Sequence, residues 1–531
     1  MTESRAVHLE LLPSSLVDNS MVTAERPSPE EIEHELRVQL DAAIAIAKTS
    51  EATFMAYETG LLTSVRLLGR LLVALFLCVR EERERAKTSE RTTKGENIYR
   101  RRPAQPRNLN TVFGVVRYFR TYMRGSKGSG YHPLDIALGL TSDRMSMTVL
   151  GLAARLATMM SFSRVHATLG WFLGNAPSTE VIENTVLGLG RRTGEWFERA
   201  EAPEADGEVL VMQFDSKGAP TATDSELERR RGPRKSNKFP HSARHRGRER
   251  RQRYGKRPRR KKGDKSKNAR MATIVVMYTL RRAEDGTRQL LGPVNRRVYA
   301  SFAPKRHVFA IARREADKRG FTKDSGKIVQ VVTDGDDDLA TYTQEFFPEA
   351  IHTVDIMHVI EYLYSAGTCF HREECSDLAA WVEAQKERLY GGQEDVIVAE
   401  LKRRLNSIPA SGPGTKGKRQ RLTTAINYLE RRLPKMRYQT LLEHDLEIGS
   451  GAVEGAVKNI IGARFDSGGS RWIRERAEPL LQLRCIEANG DWDKFIEWVH
   501  DDHRNRAHTT GERIRIQQTK PSSLPNFGVA A

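Results

Sequence analysis

The chain has 531 residues, of which 39% are hydrophobic and 29% are charged. This is the composition of a globular protein with two to four domains. Its formal net charge is +19 at pH 7, which favours polyanionic partners over basic ones. Four cysteines are too few for a disulfide framework, so we expect a reducing compartment. The first thirty residues lack a basic start followed by an apolar run, so no signal peptide is expected.

One segment carries the whole charge excess. Between residues 229 and 270, 21 Lys or Arg stand against two acids, a surplus of 19. Such a tract displaces counterions from a polyanion, with an affinity that falls steeply as salt rises. It predicts nucleic-acid binding without distinguishing DNA from RNA, and a solvated loop that aids solubility is the alternative. Its candidate phosphate contacts are Arg257, Arg259, Arg260, Lys261 and Lys262.

Two helices are predicted near the N-terminus, after a stretch without periodicity, 1–27, that we expect to be disordered. Ser28, Pro29 and Glu31 form a capping box with proline at the first helical position, so a helix should begin there. A second, apolar helix is expected from about Ala56 to Arg85.

Within this second helix, Leu61 to Val79 is the longest strongly apolar stretch of the chain. Arg66 and Arg70 interrupt the stretch, which makes it too charged to span a bilayer and predicts a buried helix. The segment after the helix, Thr92 to Asn108, is basic and contains proline, which predicts a linker.

A strand or hairpin and a helical hairpin are predicted next. Thr111 to Met123 alternates apolar and polar residues. A helix from Ser161 to Leu173, a tight turn at 174–177 and a helix from Ser178 to Leu189 have the shape of a helix-turn-helix. The second helix has few basic or amide side chains, so DNA reading and simple packing both remain open.

From residue 208 onward, buried-type strands alternate with helices. Asp215, Asp334 and Asp355 each directly follow such a strand. This order predicts an α/β fold with a mixed sheet. Strands are expected at 209–214, 272–280, 297–301, 327–333 and 350–354. A helix is expected between the third and fourth of these strands, at 304–319.

The chain is then expected to be helical from Ile356 to about Arg437, apart from a loop at 409–418, and again from Ser450 to about Ala463.

Two aspartates at strand ends and an acid on a later helix are what two-metal phosphoryl transfer needs, because several carboxylates must converge on one small volume. Asp215 is the first candidate, with a turn aspartate before Ser216 and Gly218 as the alternative. Asp334 is the second because it lies directly at its strand terminus, whereas the acids 336–338 could cap the next helix.

The third candidate is Glu454, which borders the buried stripe of the helix that begins at Ser450. The alternative is a surface pair with Lys458, worth about 0.3–0.5 kcal/mol. Spacing alone leaves both open, and Glu443 and Glu447 compete nearby.

The motifs around these acids are similar to those of a known family. GSGAVEGAVKNIIGARFDSGGSRW, which contains Glu454, resembles the third catalytic block of bacterial insertion-sequence DDE transposases, closest to the ISKra-type group. VVTDGDDDL and VDIMHVIEYL resemble the second block and the one just after it. FDSKGAP resembles the first block, and HPLDIALGL the segment before the helical hairpin. The resemblance covers roughly Asn108 to Trp498, and the third block is its most specific part.

The resemblance implies an RNase H-like α/β core with a mixed sheet, an all-α insertion and a mainly α-helical N-terminal DNA-binding region. It implies that Asp215, Asp334 and Glu454 bind two Mg²⁺ or Mn²⁺ ions. Asp355 and His358 match an element thought to lie beside the active site, which gives His358 a candidate catalytic role, although a packed or capping histidine is the alternative.

Four residues match positions where the third block would contact DNA. Lys458, Arg464 and Arg471 would contact phosphates, and Trp472 would stack on a displaced base or fill the core. Two features depart from the family. YMRGSKGSGYHPLD lacks the Cys-x-x-Cys knuckle of many relatives, so no structural zinc is expected, and the loop after Asp215 is long and basic.

The implied organisation has seven parts. These are a disordered terminus (1–27), a helical region (28–107), a strand-hairpin and helix-turn-helix-like DNA-binding region (108–200), the first part of the core with its basic insertion (201–355, with 229–270), an all-helical insertion (356–440), the last part of the core (441–500) and a tail (501–531).

The function implied by the resemblance is DNA strand cleavage and strand transfer at insertion-sequence ends, in the bacterial cytoplasm at the nucleoid. The implied partners are terminal inverted repeats, target DNA and further copies of the chain, with no membrane. The alternative is a non-cleaving DNA-binding protein of transposase descent, acting as a repressor or architectural factor. An RNA-associated protein is disfavoured, since the sequence has no RRM aromatic motif.

Overall fold

In a computed structural model the described residues are 26–94, 97–126, 130–141, 143–222, 269–284, 289–466 and 472–510. Most of the predicted disordered terminus, nearly all of the basic tract and the tail beyond 510 lie outside them. The chain divides into two compact units, residues 1–199 with 490–531 and residues 200–489. The predicted boundary at 200 falls between the units, whereas the one at 107 falls within a strand.

The first unit combines helices with a small sheet. Its described elements in chain order are α1 Pro29–Thr49, α2 Phe54–Lys87, β1 Arg91–Lys94, β2 Asn97–Thr111, β3 Gly114–Gly125, β4 Gly130–Tyr131, α3 Pro133–Leu138, α4 Met147–Met159, α5 Phe162–Leu173, α6 Thr179–Gly190, α7 Thr193–Arg199 and a C-terminal helix Trp492–Thr510.

Both N-terminal helices are confirmed. The Ser28 hydroxyl accepts the Glu31 N–H, and the Glu31 carboxylate accepts the Ser28 N–H at 2.7 Å, which completes the capping box. Leu67 and Leu71 of α2 lie in a core shared with α1, β2 and β3. Other apolar side chains of α2, such as Leu72, are exposed, so the prediction of a buried helix is correct for one face only. Among the described helices, α2 alone is long and apolar enough to cross a membrane by length and composition.

The predicted linker 92–108 is wrong, because this stretch forms strands of an antiparallel sheet ordered β1-β2-β3-β4. A register shift between Arg102 and Gln105 accommodates the proline-containing part of β2. Asp135 of α3 bridges two strands of this sheet, since it accepts hydrogen bonds from the buried Arg107 of β2 and Arg120 of β3. The alternation of apolar residues that signals a strand is hidden in β2 by arginines and prolines.

The helical hairpin is confirmed as α5 and α6, and the Ser178 hydroxyl accepts the Val181 N–H as a cap. The second half of α6 is buried from Thr185 onward. The exposed positions of its first half include Glu180 and Asn184, and no basic side chain lies on α6 to contact phosphates.

The second unit contains a mixed sheet with helices. Its described elements are β5 Val209–Ala222, β6 Ala269–Arg282, β7 Leu290–Ser301, α8 Lys305–Lys318, β8 Ile328–Thr333, α9 Asp337–Phe346, β9 Ile351–Val354, α10 Ile356–Gly367, α11 Ser376–Tyr390, α12 Glu394–Ser407, α13 Thr415–Arg432, α14 Tyr438–Glu443, α15 Gly451–Ala456, a π-helix Val457–Asp466, β10 Trp472–Ile473 and α16 Arg474–Ala488.

The prediction of an α/β fold with a mixed sheet is confirmed. The strand order is β7-β6-β5-β8-β9, and β10 pairs with the far end of β5. β5, β6 and β7 are antiparallel, whereas β5, β8 and β9 are parallel. The helices α10 to α14 lie between β9 and α15 in sequence, where a helical stretch was predicted.

A buried ion pair closes the amino-terminal end of β5. Asp206 accepts two hydrogen bonds from Arg319, at 2.6 and 2.7 Å, and others from Thr279 and Asn295. Burial alone would raise the pKa of Asp206, but these donors outweigh it and lower the pKa below its ordinary value. The pair therefore joins the start of β5 to β6, β7 and the end of α8.

We predict that Asp206→Asn lowers the free energy of unfolding by about 3–5 kcal/mol, because it leaves the buried Arg319 charge uncompensated. The folded-state pKa of Asp206 lies below its ordinary value of about 3.9. Its stabilising contribution is therefore complete above that value and is lost as pH falls through the lowered pKa. Urea unfolding at neutral and acid pH measures both effects.

The matched control is Glu208→Gln, because the ion pair of Glu208 with Arg282 is about half exposed and should contribute no more than about 1 kcal/mol. Equal losses of stability in the two variants would contradict the role of the buried pair.

Candidate functional site

Three aspartates lie in a row at one edge of the second unit's sheet. Phe214 pairs with Thr333, and Thr333 pairs with Val354, across the parallel strands β5, β8 and β9. The next residue of each strand is an aspartate, namely Asp215, Asp334 and Asp355. Neighbouring parallel strands present their carboxyl ends at the same edge, so these acids are brought side by side.

The prediction that the first strand ends on Asp215 is wrong. β5 continues to Ala222, paired with β6 as far as Pro220. What ends before Asp215 is the pairing with β8, whose last residue is Thr333. Asp215 therefore lies at the point where one side of β5 becomes open, which gives it access to the site although it is inside a strand.

Glu454 is brought to this edge by two buried glutamines. Gln213, on the same face of β5 as Asp215, donates to the Gly449 carbonyl at 3.2 Å and accepts the Val453 N–H at 3.0 Å. Gln330 of β8 exchanges two hydrogen bonds with the backbone of Glu447, at 2.6 and 3.0 Å. The segment before and within α15 is therefore bonded to the sheet, and Glu454 follows directly from it.

Ser450 connects this segment to the third aspartate. Its hydroxyl donates to Asp355 at 2.6 Å and lies 3.5 Å from Glu454. The Ser450 side chain does not cap the helix that begins after it, because the hydroxyl is bonded to Asp355 instead. Asp355 also caps α10 by accepting the Met357 N–H, and it holds Nδ1 of His358 at 2.9 Å.

The helix after Glu454 continues as a π-helix rather than the expected α-helix. Its far end lies beside Lys217 of β5, which pairs with Asp466 at 3.3 Å. Arg484 of α16 donates to the carbonyls of Asn459 and Ile460. Because Gln213 and Lys217 hold opposite ends of this helical segment, it runs along β5 with Glu454 next to Asp215. π-Helical turns are frequent at functional sites.

The helical segment 356–443 supports the site from another side. Tyr428 of α13 donates to the Asp334 carbonyl at 2.8 Å, and Arg432 donates to the Gly335 carbonyl. Gly335 has a positive φ of 85°, and a Cβ there would meet Arg432. Tyr438 donates to the Val354 carbonyl at 2.9 Å. Both strand ends that carry an acid are thus fixed by tyrosines from the helices.

These groups are close enough to shift one another's pKa. Burial raises the pKa of Asp215, and the carboxylates of Asp334 and Glu454 raise it further. The hydrogen bond with Asp355 raises the pKa of His358 to about 9, with a contribution from Asp334. Burial would raise the pKa of Asp355, but its bonds from His358 and Ser450 outweigh this and lower it.

The donor set fits a hard divalent cation. Carboxylate oxygens are the ligands that Mg²⁺ prefers, and the repulsion felt by Asp215 is what a cation would relieve. Ligand atoms of Asp355, His358 and Glu454 also lie within 4.8 Å of one another. The oxygens of Asp355, however, already accept three hydrogen bonds. Asp355 therefore acts as a positioning residue. Asp215 and Asp334 are not part of this close cluster, and with Glu454 they remain the ligands that the family resemblance implies.

The competing acids lie elsewhere. Asp336 caps α9 and pairs with Lys305 at 3.0 Å. A helix cap is the role that the sequence analysis gave as the alternative for the acids 336–338. The Glu447 side chain hydrogen bonds to Tyr278. Glu443 accepts from Gln439 on the surface of α14.

Only part of the predicted DNA-contacting set lies within the described residues. Lys458 is exposed. Arg464 is buried with its guanidinium 4.5 Å from the Trp472 ring centre, and burial lowers its pKa to about 10. Trp472 also packs on Phe465, which favours the core-filling alternative. Arg471 and the five basic residues of the tract, Arg257, Arg259, Arg260, Lys261 and Lys262, lie outside the described residues.

Sequence reasoning missed a basic cleft in the first unit. The cleft has a volume of about 800 Å³. Arg91, Arg100 and Arg124 lie directly opposite one another on β1, β2 and β3, an arrangement of like charges that costs stability unless an anion is present. The charged residues that line the cleft are Arg26, Arg85, Glu90, Arg91, Arg100, Arg101 and Arg102.

We predict that Gln213→Leu weakens Mn²⁺ binding by about 10–100-fold, the usual cost of losing a group that orients a metal ligand. The change removes the bonds to Gly449 and Val453 that hold the start of α15. Titration of the full-length protein with Mn²⁺, followed by electron paramagnetic resonance, measures the affinity.

Gln385→Leu is the matched control, because Gln385 is also a buried glutamine but lies on α11 and accepts from Arg388. If Gln213→Leu bound Mn²⁺ as tightly as this control, Gln213 would have no part in positioning Glu454.

The site thus combines three acids, a histidine and their buried supports in one unit. In comparisons with known proteins, the chain matches no protein-family model and no curated protein.

Proposed function

We propose that the protein is a DDE transposase that cleaves and rejoins DNA at insertion-sequence ends. The observation that carries the proposal is that Asp215 interacts electrostatically with both Asp334, which follows the neighbouring parallel strand, and Glu454, which lies on a helix bonded to β5. These are the acids that the family resemblance selects from the sequence motifs alone.

The sheet supports an RNase H-like core. Three antiparallel strands are followed in space by two parallel ones, in the order β7-β6-β5-β8-β9. An RNase H-like core is also built on a mixed sheet, and the closeness of Asp215 on β5 to Asp334 after the parallel strand β8 supports the proposal.

Asp215, Asp334 and Glu454 would hold two Mg²⁺ or Mn²⁺ ions, which supply polarisation of the attacking hydroxyl and neutralise charge on the leaving oxygen. The chain's own contribution is to fix the acids before the substrate arrives. Gln213 positions the helix of Glu454, and Tyr428 positions the strand end of Asp334.

His358 contributes a hydrogen-bond donor beside the acids. Asp355 holds its Nδ1 at 2.9 Å, which orients the ring, and no described residue is hydrogen bonded to its Nε2. With its pKa raised to about 9, the ring is protonated at neutral pH. Nε2 can then donate to a phosphate oxygen that carries negative charge.

The basic cleft supports DNA as the substrate. Its arginines come from β1, β2, the end of α2 and the segment before α1, and Arg100 and Arg102 are exposed within it. A row of guanidinium groups binds successive phosphates and reads no sequence. The cleft would therefore position DNA.

We predict that Asp215→Asn, Asp334→Asn and Glu454→Gln each reduce Mg²⁺-dependent cleavage of element-end DNA by at least about 100-fold. Each change removes one carboxylate charge while keeping the shape of the side chain. Cleavage of labelled duplex DNA with Mg²⁺ or Mn²⁺, resolved on denaturing gels, measures the effect.

Asp336→Asn is the control, because Asp336 is a neighbouring acid whose helix cap an asparagine preserves. DNA binding by the wild-type protein without any metal-dependent cleavage would overturn the proposal and support the non-cleaving DNA-binding alternative. Cleavage that survives Glu454→Gln would exclude Glu454 as the third ligand.

We predict that Arg100→Glu combined with Arg102→Glu weakens DNA binding and reduces the slope of log affinity against log salt by about two. The substitutions are made in Asp215→Asn protein, so that binding is measured without cleavage. Fluorescence anisotropy with a labelled duplex across a salt series gives the slope.

Arg403→Glu combined with Lys416→Glu, two exposed changes on α12 and α13, serves as the matched control because it removes the same amount of positive charge. An unchanged slope in the double variant of the cleft would show that the cleft does not contact DNA.

A further inference from the structure

The first unit exposes an apolar stripe along α2. Phe54, Leu61, Val65, Leu72 and Phe76 are between 40% and 78% exposed. They are spaced by seven, four, seven and four residues, which places them on one face of a helix. The opposite face of α2 is buried in the core with α1, β2 and β3. The stripe is therefore an outer face that nothing in the described chain covers.

The stripe has the size of one side of a protein interface. From Phe54 to Phe76 the helix rises by roughly 33 Å. With about 200 Å² for a fully exposed large side chain, the stripe and the exposed Met55 and Leu62 beside it offer on the order of 700 Å². A standard interface buries about 800 Å² per partner, and a monomer rarely exposes so large a contiguous patch.

Opposite charges mark the two ends of the stripe. Glu58 lies within it near the start of α2, and Arg83 lies on the same face about seven turns later. Both are exposed, and no described residue forms an ion pair with either. The acids on both sides of Arg83 are already paired with other bases of this unit: Glu82 with Arg26, and Glu84 with Arg80 and Lys87.

We propose that two copies of this chain associate through α2, with the two helices antiparallel about a twofold axis near the middle of α2, midway between Glu58 and Arg83. In this arrangement each Glu58 faces the partner's Arg83, and the apolar side chains between them are buried. A parallel arrangement would place Glu58 against the partner's Glu58 and Arg83 against the partner's Arg83. The charges therefore select the antiparallel pair, which is self-complementary as a twofold interface must be.

The interface follows from the first unit alone and does not depend on the proposed DNA chemistry. In the dimer, the exposed apolar face of α2 is covered by the second copy of the helix and does not need a lipid bilayer to cover it. A chain that carries one site per copy would in this way present two sites in one particle.

The test is the oligomeric state of the full-length protein at micromolar concentration, measured by sedimentation and by light scattering after gel filtration. We expect a dimer that Val65→Asp converts to a folded monomer, because Val65 is exposed in the single chain. Leu152→Asp is the control, since Leu152 is an exposed leucine of α4 outside the stripe, and it should leave the dimer intact.

Charge reversal tests the orientation. Glu58→Arg and Arg83→Glu should each weaken the dimer about 10-fold or more at low salt, and the combination of both changes should restore it. A wild-type monomer, a dimer indifferent to Val65→Asp, or two reversals that weaken the dimer without mutual rescue would each overturn the proposal. Binding of a wild-type monomer to phosphatidylcholine–phosphatidylglycerol vesicles would assign the stripe to lipid instead.

Discussion

The candidate site depends on holding three carboxylates together against their mutual repulsion. Asp215 and Asp334 lie close together without further supporting contacts, because the parallel strands β5 and β8 pair in register up to the residue before each acid. Glu454 has no such help from the sheet. Its position rests on Gln213 and Gln330, whose amides are buried in β5 and β8 and bond to the backbone of the segment before α15. A buried amide is costly unless fully bonded, so these side chains tolerate little displacement of that segment.

The supports around the acids come from separate parts of the second unit. The glutamines act from inside the sheet, Tyr428 and Tyr438 act from the helices, and Asp355 joins His358 to Ser450. Each contact restrains backbone or orients a ring, and few of these groups would themselves touch a substrate. Such supports let a site keep its geometry while charge develops on a bound ligand.

The sequence predicted the mixed sheet and the two aspartates because buried parallel strands are apolar runs, and an acid directly after such a run is conspicuous. Glu454 could be chosen over Glu443 and Glu447 only through the surrounding motif, since helical spacing allowed all three. Gln213 and Gln330 were missed, although an amide within an apolar strand was a usable signal. The strands β1 and β2 and the π-helix could not be read from periodicity, because arginines and prolines mask the former and tertiary bonds create the latter.

The distance along the chain between the acids has a consequence for synthesis. The bond between Gln213 and Val453 closes a loop of 240 residues, and the bond from Tyr428 to Asp334 closes one of 94. Contacts of such high sequence separation form late in folding. A nascent chain therefore exposes its first two acids before the third has been synthesised. The three acids can come together only when nearly the whole second unit has left the ribosome.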